Sequence, residues 1–269
     1  MIPGMLGFRK HIKFWLYTVA AILIFILLLV QVAPLLIFPG YFAHYPDAAY
    51  GCSQQRVEWS AADGTLLRGW FFNRGPGSPL VVIHTGNNMN VGAMLPMAEA
   101  DTARSYLLLN YRGYGDSEGV PSESALVSDS IRNITHAQQL IGGQKSPLHI
   151  IGYSIGSGVA TQVAAAAQPD TLTLICPFDC ITEVACDFVP LLPRLLLPNT
   201  FNSAGFAPRI TCPVTILRAR HDTLVTAPHT ATLLQAFPTP PTEHVLEADH
   251  NSIFANAAFF PLLYSSLER

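Results

Sequence analysis

The 269-residue chain is 50% apolar and only 12% charged, with 21 Pro and 19 Gly, a composition that excludes an intrinsically disordered protein. Its charged fraction is about half the roughly 25% of an ordinary soluble domain, so either the surface is unusually apolar or one segment sits in lipid. The formal net charge is -3, and leaving out residues 1–40, which hold Arg9, Lys10 and Lys13 and no acid, makes it -6, which argues against a nucleic-acid partner.

The lipid explanation is visible at the amino terminus. No charge occurs from Phe14 to Val30, and after Gln31 the apolar run resumes through Phe38, bent by Pro34. That length meets the roughly 17 to 25 residues needed to cross a bilayer. A transmembrane signal-anchor over 14–38, behind a short cytoplasmic stretch 1–13, is the expectation. A cleaved signal peptide is the alternative, but its apolar core would span about 7 to 15 residues before a small-x-small site, and Gln31-Val32-Ala33 matches that poorly. Arg9, Lys10 and Lys13 precede the span and no Lys or Arg follows it before Arg56. The positive-inside bias then leaves the amino terminus cytoplasmic and the large carboxy-terminal part extracytoplasmic, at the periplasmic face of the inner membrane in a bacterium.

Residues 41–269 have the length of one domain, without internal repeats or a low-complexity linker. Short apolar runs bounded by turn residues predict strands at Thr65–Phe72, Leu80–His84, Tyr106–Asn110, Leu148–Tyr153, Thr171–Cys176, Val214–Leu217 and Glu243–Leu246. Helices are expected over Glu123–Ile141, where Val127, Ile131, Ile134, Ala137 and Ile141 recur at helical spacing, and over Ser154–Ala167. Strands apolar on both faces and alternating with helices imply an α/β fold, with a mostly parallel sheet covered on both sides. Sites in such sheets form at the carboxyl ends of strands.

The pattern Gly-x-Ser-x-Gly occurs at Gly115–Gly119 and at Gly152–Gly156. A nucleophile elbow needs a strand, a strained turn with tiny neighbours, and a helix whose first amides face the hydroxyl. Ser154 has that context; Ser117 lies in a Gly-rich loop with Pro121 soon after, and is a loop residue. A neutral serine is a weak nucleophile and needs a base, itself oriented by an acid. In this architecture the order is Ser, acid, His, and Asp222 and His250 follow later predicted strands in that order. Asp179 and Asp249 compete for the role of acid, while His221, His229 and His244 are less well placed as base. The developing oxyanion requires two backbone N–H groups: Ile155, after the nucleophile, and Asn87 in the Thr85-Gly86-Asn87-Asn88 loop after an earlier strand.

These segments together resemble the α/β-hydrolase family over nearly all of 55–269, and within it the membrane-anchored serine hydrolases that include lysophospholipid lipases and protein depalmitoylases. Thr85-Gly86-Asn87-Asn88-Met89-Asn90 is similar to the family's His-Gly-Asn-Ala-x-Asn oxyanion loop, with Thr85 replacing His. Asn110 to Gly119 resembles its Asp-Tyr-Arg-Gly-Tyr-Gly-x-Ser-x-Gly loop. The resemblance implies a Ser154–His250–Asp222 triad, Asn87 and Ile155 as oxyanion donors, and single-pass anchoring.

A small cap is expected at about 177–210, rich in Pro and in Phe and Leu, which suits an acyl chain or contact with a bilayer surface; packing of these residues on the sheet is the alternative. No cofactor or metal is called for: the five cysteines (Cys52, Cys176, Cys180, Cys186 and Cys212) form no CxxC pair and have no ligand-spaced His. Spacing leaves open disulfides among Cys176, Cys180 and Cys186. The expected activity is hydrolysis of small-molecule acyl esters or thioesters. A serine peptidase and a non-catalytic membrane-tethered scaffold are the alternatives, and the oligomeric state is unspecified.

Overall fold

The computed structural model describes residues 13–25, 27–28, 37–43, 45–51, 55–143, 146–188 and 200–268. Residues 13–25 form a helix, α1, with Phe14, Trp15, Leu23 and Phe25 60–64% exposed. Among the described residues no helix is long and apolar enough to cross a membrane. The span expected over 14–38 takes in residue 26 and residues 29–36, and the expected cap takes in residues 189–199; these lie outside the described residues.

An eight-stranded sheet organises the rest: β1 Arg56–Ser60, β2 Leu66–Phe72, β3 Leu80–His84, β4 Ser105–Leu109, β5 Leu148–Tyr153, β6 Thr171–Ile175, β7 Val214–Ala219 and β8 Thr242–Leu246, in the order β1-β2-β4-β3-β5-β6-β7-β8. The first two pairings, β1 with β2 and β2 with β4, are antiparallel, and all others are parallel. All seven expected strands are present, some shifted or extended by a residue or two. The eighth, β1, was not expected: its Arg-Val-Glu-Trp-Ser sequence alternates exposed and half-buried positions at a sheet edge, so it lacks an apolar run.

The helices are α2 Gly40–Ala43, α3 Leu95–Ala100, α4 Glu123–Leu140, α5 Ile155–Ala167, α6 Ile181–Phe188, α7 Ser203–Phe206, α8 Ala227–Ala236 and α9 Phe259–Ser266. The two-residue period of a strand splits the core between the faces of the sheet. Leu80 and Val82 of β3 face Val159 and Ala160 of α5 and Ile134 of α4. Val81 and Ile83 face the opposite cluster, with Met97 of α3 and Phe259 and Leu263 of α9. Every residue of β3 and β5 is buried, as expected of central parallel strands. Each large apolar side chain so buried contributes about 1.5–3 kcal/mol, which offsets part of the chain's ordering entropy. The helix α4 starts where Ser122 accepts a hydrogen bond from Ala125 N at 3.3 Å.

Between β6 and β7 the described residues hold α6, α7 and a 3-10 turn, Ala207–Arg209. Cys176, Cys180, Cys186 and Cys212 are free thiols, and Cys52 lies outside the described residues.

Candidate active site

Ser154 sits between the last residue of β5 and the first of α5 with φ 53° and ψ -123°, a conformation that costs a non-glycine residue on the order of 1–3 kcal/mol. The surroundings hold it there. Ser154 N donates to Ile175 O at 2.9 Å, and Ser154 O accepts from Ser157 N at 2.8 Å. The flanking glycines allow the crossing: a Cβ on Gly152 would collide with the Gly156 carbonyl and the Ala160 methyl, and one on Gly156 with the carbonyl of His84.

Asp222 follows β7 and His250 follows β8, so both reach the carboxyl edge where Ser154 stands. His250 Nε2 is 2.9 Å from Ser154 Oγ, and His250 Nδ1 is 2.7 Å from Asp222 Oδ2. The other carboxylate oxygen, Asp222 Oδ1, accepts from Leu224 N at 2.9 Å and Val225 N at 2.8 Å. Burial of Asp222 opposes its charge, but these bonds, first that from His250, outweigh it and lower its pKa below the usual carboxylate value. His250 is 5% exposed, and Tyr153 braces it: the phenol donates to the His250 carbonyl at 2.9 Å and the two rings lie 5.4 Å apart.

The loop after β3 is tied down from outside. Tyr111 Oη donates to Thr85 O at 3.0 Å, Tyr114 Oη to Asn87 O at 2.8 Å, and Gly40 N to Asn87 O at 2.9 Å. Thr85, where the resembling loops carry His, donates from Oγ1 to Met89 O at 3.3 Å. Gly86, Asn87, Ser154, Ile155 and His250 border one cavity of about 400 Å³. Its other walls are Phe178, Ile181, Val184 and Phe188 on the α6 side, Leu224 and Val225 after Asp222, and Met89, Asn251 and Phe254.

The competing residues are engaged elsewhere. Ser117 Oγ accepts from Arg68 N at 2.8 Å within the 110–119 loop and is buried. Asp179 Oδ1 meets His229 Nδ1 at 2.8 Å, and His229 Nε2 meets Asp187 Oδ2 at 3.0 Å, joining α6 to α8. Asp249 Oδ1 accepts from Asn251 N and Ser252 N, both at 2.9 Å. His244 lies within β8, and His221 pairs with Glu247 at 3.2 Å on the surface. His84, at the end of β3, is buried beside Ser130 Oγ at 3.1 Å, and burial holds its pKa down at about 4.

Three potential metal donors, Cys176 Sγ, an Asp222 oxygen and a His250 ring nitrogen, lie within 4.8 Å of one another. Burial, and then the negative Asp222, push the Cys176 thiol well up, so it stays protonated and is a poor ligand. Both Asp222 oxygens already accept hydrogen bonds. The donor set therefore suits orientation of His250 better than capture of an ion. Sequence reasoning missed Tyr153, Cys176 and Gly40. Tyr153 lay inside the motif, whereas Gly40 joins the site by a contact across 47 positions, which no local pattern records.

The strand order and the elbow define an α/β fold of the hydrolase type. A family model described as alpha/beta hydrolase family matches residues 80–263, and the chain belongs to that family. It is 33% identical over 187 residues to an uncharacterized protein of Mycobacterium tuberculosis, covering 66% of this chain and 65% of that protein. It is 37% identical over 135 residues to the lysophosphatidylserine lipase ABHD12 of Danio rerio, covering 43% of this chain and 35% of the lipase. The chain thus spans less than two thirds of these relatives. Among solved structures, an esterase of Pyrococcus furiosus superposes with TM-score 0.60 at 20% identity, covering 79% of this chain and 87% of that one. The alpha/beta hydrolase GrgF of a Penicillium species does so with TM-score 0.65 at 17% identity, covering 79% and 96%. At such identities the structures share the fold.

Proposed function

We propose that this hydrolase cleaves carboxylic esters or thioesters of acyl, lipid-like substrates through an acyl-enzyme. The observation that carries the reading is the unbroken chain Ser154 Oγ, His250 Nε2, His250 Nδ1, Asp222 Oδ2, with steps of 2.9 Å and 2.7 Å across the imidazole, opening on the 400 Å³ cavity. Ser154 Oγ attacks the acyl carbon as its proton passes to His250 Nε2; Asp222 holds the other nitrogen as the donor and stabilises the resulting imidazolium. The backbone N–H groups of Ile155, at the amino end of α5, and of Asn87 hold the oxyanion. His250 then gives its proton to the departing alcohol or thiol, and water attacks the acyl-enzyme with the roles reversed. The apolar wall of Phe178, Ile181, Val184 and Phe188 takes the acyl chain. No metal or cofactor takes part.

The domain is tethered to a membrane by the segment 14–38, with the amino terminus cytoplasmic and the catalytic domain outside. Support comes from the charge-free run Phe14 to Val30 and from the exposed apolar side chains of α1.

Turnover of the membrane-bound protein on p-nitrophenyl esters and acyl thioesters of graded length, set against aminoacyl and peptide anilides, tests the bond and acyl preference. Faster cleavage of esters or thioesters is expected; preference for the anilides would make the protein a peptidase. No turnover by folded protein would favour a scaffold.

A further inference from the structure

We propose that the chain leaving the apolar segment, through Phe38, Gly40, Tyr45 and Asp47, is a positioning element for the oxyanion loop. The proposal rests on Asn87 and Ile155 being the oxyanion donors. Two contacts grip the loop at its turn and its end. Gly40 N donates to Asn87 O at 2.9 Å, and Tyr114 Oη fills the other lone pair of that carbonyl at 2.8 Å. Three residues on, Asn90 Nδ2 donates to Tyr45 O at 2.7 Å and to Asp47 Oδ1 at 2.8 Å.

Both grips are themselves anchored. Asp47 is 1% exposed; its Oδ1 also accepts from Asn110 Nδ2 at 2.8 Å, and its Oδ2 pairs with Arg56 at 3.0 Å. Phe38, also 1% exposed, packs edge-on against Phe201 with ring centroids 6.1 Å apart, so the same segment touches the region between β6 and β7. Within the loop, by contrast, the bond from Thr85 Oγ1 to Met89 O is long at 3.3 Å. A turn of Gly and Asn has many conformations of its own, and one carbonyl with both lone pairs filled removes most of them. Fixing the Asn87 carbonyl fixes the backbone one Cα from the Asn87 N–H, the group that must meet the oxyanion. The segment that leaves the apolar run therefore sets the geometry of the transition-state site.

Gly40 is where this can be broken without touching the reacting groups. A Cβ there would overlap the Tyr114 ring and press on Asn87 O at 2.8 Å. The full-length protein in membranes or detergent is compared as wild type, Gly40→Ala, Tyr114→Phe and Phe42→Ala, the last lying exposed on the same short helix. Ester turnover is expressed per site titrated by a fluorophosphonate, beside melting temperature and pH profile. An oxyanion donor acts in the transition state and not on bound substrate, so its displacement lowers kcat and spares KM. Losing such a donor costs about 10² to 10³ in kcat, and a displaced one less, so Gly40→Ala and Tyr114→Phe are expected to lower kcat per site about tenfold or more. KM and the pH profile should stay unchanged, and Phe42→Ala should match wild type. Wild-type kcat per site in both Gly40→Ala and Tyr114→Phe, with only a lower melting temperature, would overturn the proposal. Should Gly40→Ala fail to fold, Asp47→Asn, which weakens the second grip at Asn90, is measured in its place, and wild-type kcat per site there would overturn the proposal. A wild type that neither labels nor turns over would instead defeat the functional reading beneath it.

Discussion

Tyr153 donates its phenol to the backbone carbonyl of His250 at 2.9 Å while its chain neighbour Ser154 faces the imidazole of the same histidine, also at 2.9 Å. One dipeptide at the end of β5 thus carries the proposed nucleophile and positions its base.

Removing that phenol separates the two duties. Tyr153→Phe keeps the ring against His250 and loses one hydrogen bond, worth about 0.5–1.5 kcal/mol. Ester kcat should fall about two- to tenfold while the fraction of sites that a fluorophosphonate eventually labels stays complete. Steady-state kinetics beside an end-point titration check this.

How far the sequence foretold this site differs from residue to residue. Ser154, Asp222 and His250 were legible because each follows an apolar strand, and the strand-end rule of parallel sheets needs no knowledge of distant contacts. Asp179 competed with Asp222 by the same rule, yet the structure pairs it with His229, across 50 positions. The edge strand β1 escaped notice because Arg56 and Glu58 face out and only one of its faces is covered. Gly40 and Asp47 lay beside an apolar run that dominates any local pattern, and their contacts with Asn87 and Asn90 exist only after folding.

Asp222 gives a prediction in acid. Its pKa is lowered in the folded protein, burial opposing the charge and the His250 and backbone bonds outweighing that. A group depressed on folding adds stability above its unfolded value, near 3.8, and loses it as pH falls through the lower folded value. Asp222→Asn should therefore melt below wild type at pH 5 to 7, with the gap narrowing below about pH 4. Thermal unfolding followed by circular dichroism over that range checks it. At neutral pH the same variant should lose on the order of 10⁴-fold in kcat, because an amide can hold the wrong tautomer of His250.

His229 works with the opposite sign. Burial disfavours its charge, but hydrogen bonds to Asp187 and Asp179 outweigh this and raise its pKa. A raised histidine contributes stability that is complete below its unfolded value, about 6.5, and fades as pH climbs through the folded one. Protection of α6 amides from hydrogen exchange should thus decline as pH rises above about 6.5, after correction for intrinsic rates. Asp187→Asn should flatten that decline, since Asp187 is the partner carried on α6.

Labelling of the full-length protein by a fluorophosphonate, with the modified peptide mapped by mass spectrometry, tests the proposed activation of Ser154 most directly. Wild type should label at Ser154 alone, and Ser154→Ala, which loses the hydroxyl facing His250, should be folded and unlabelled. Labelling at Ser117 or another serine, or equal labelling of folded Ser154→Ala, would contradict it.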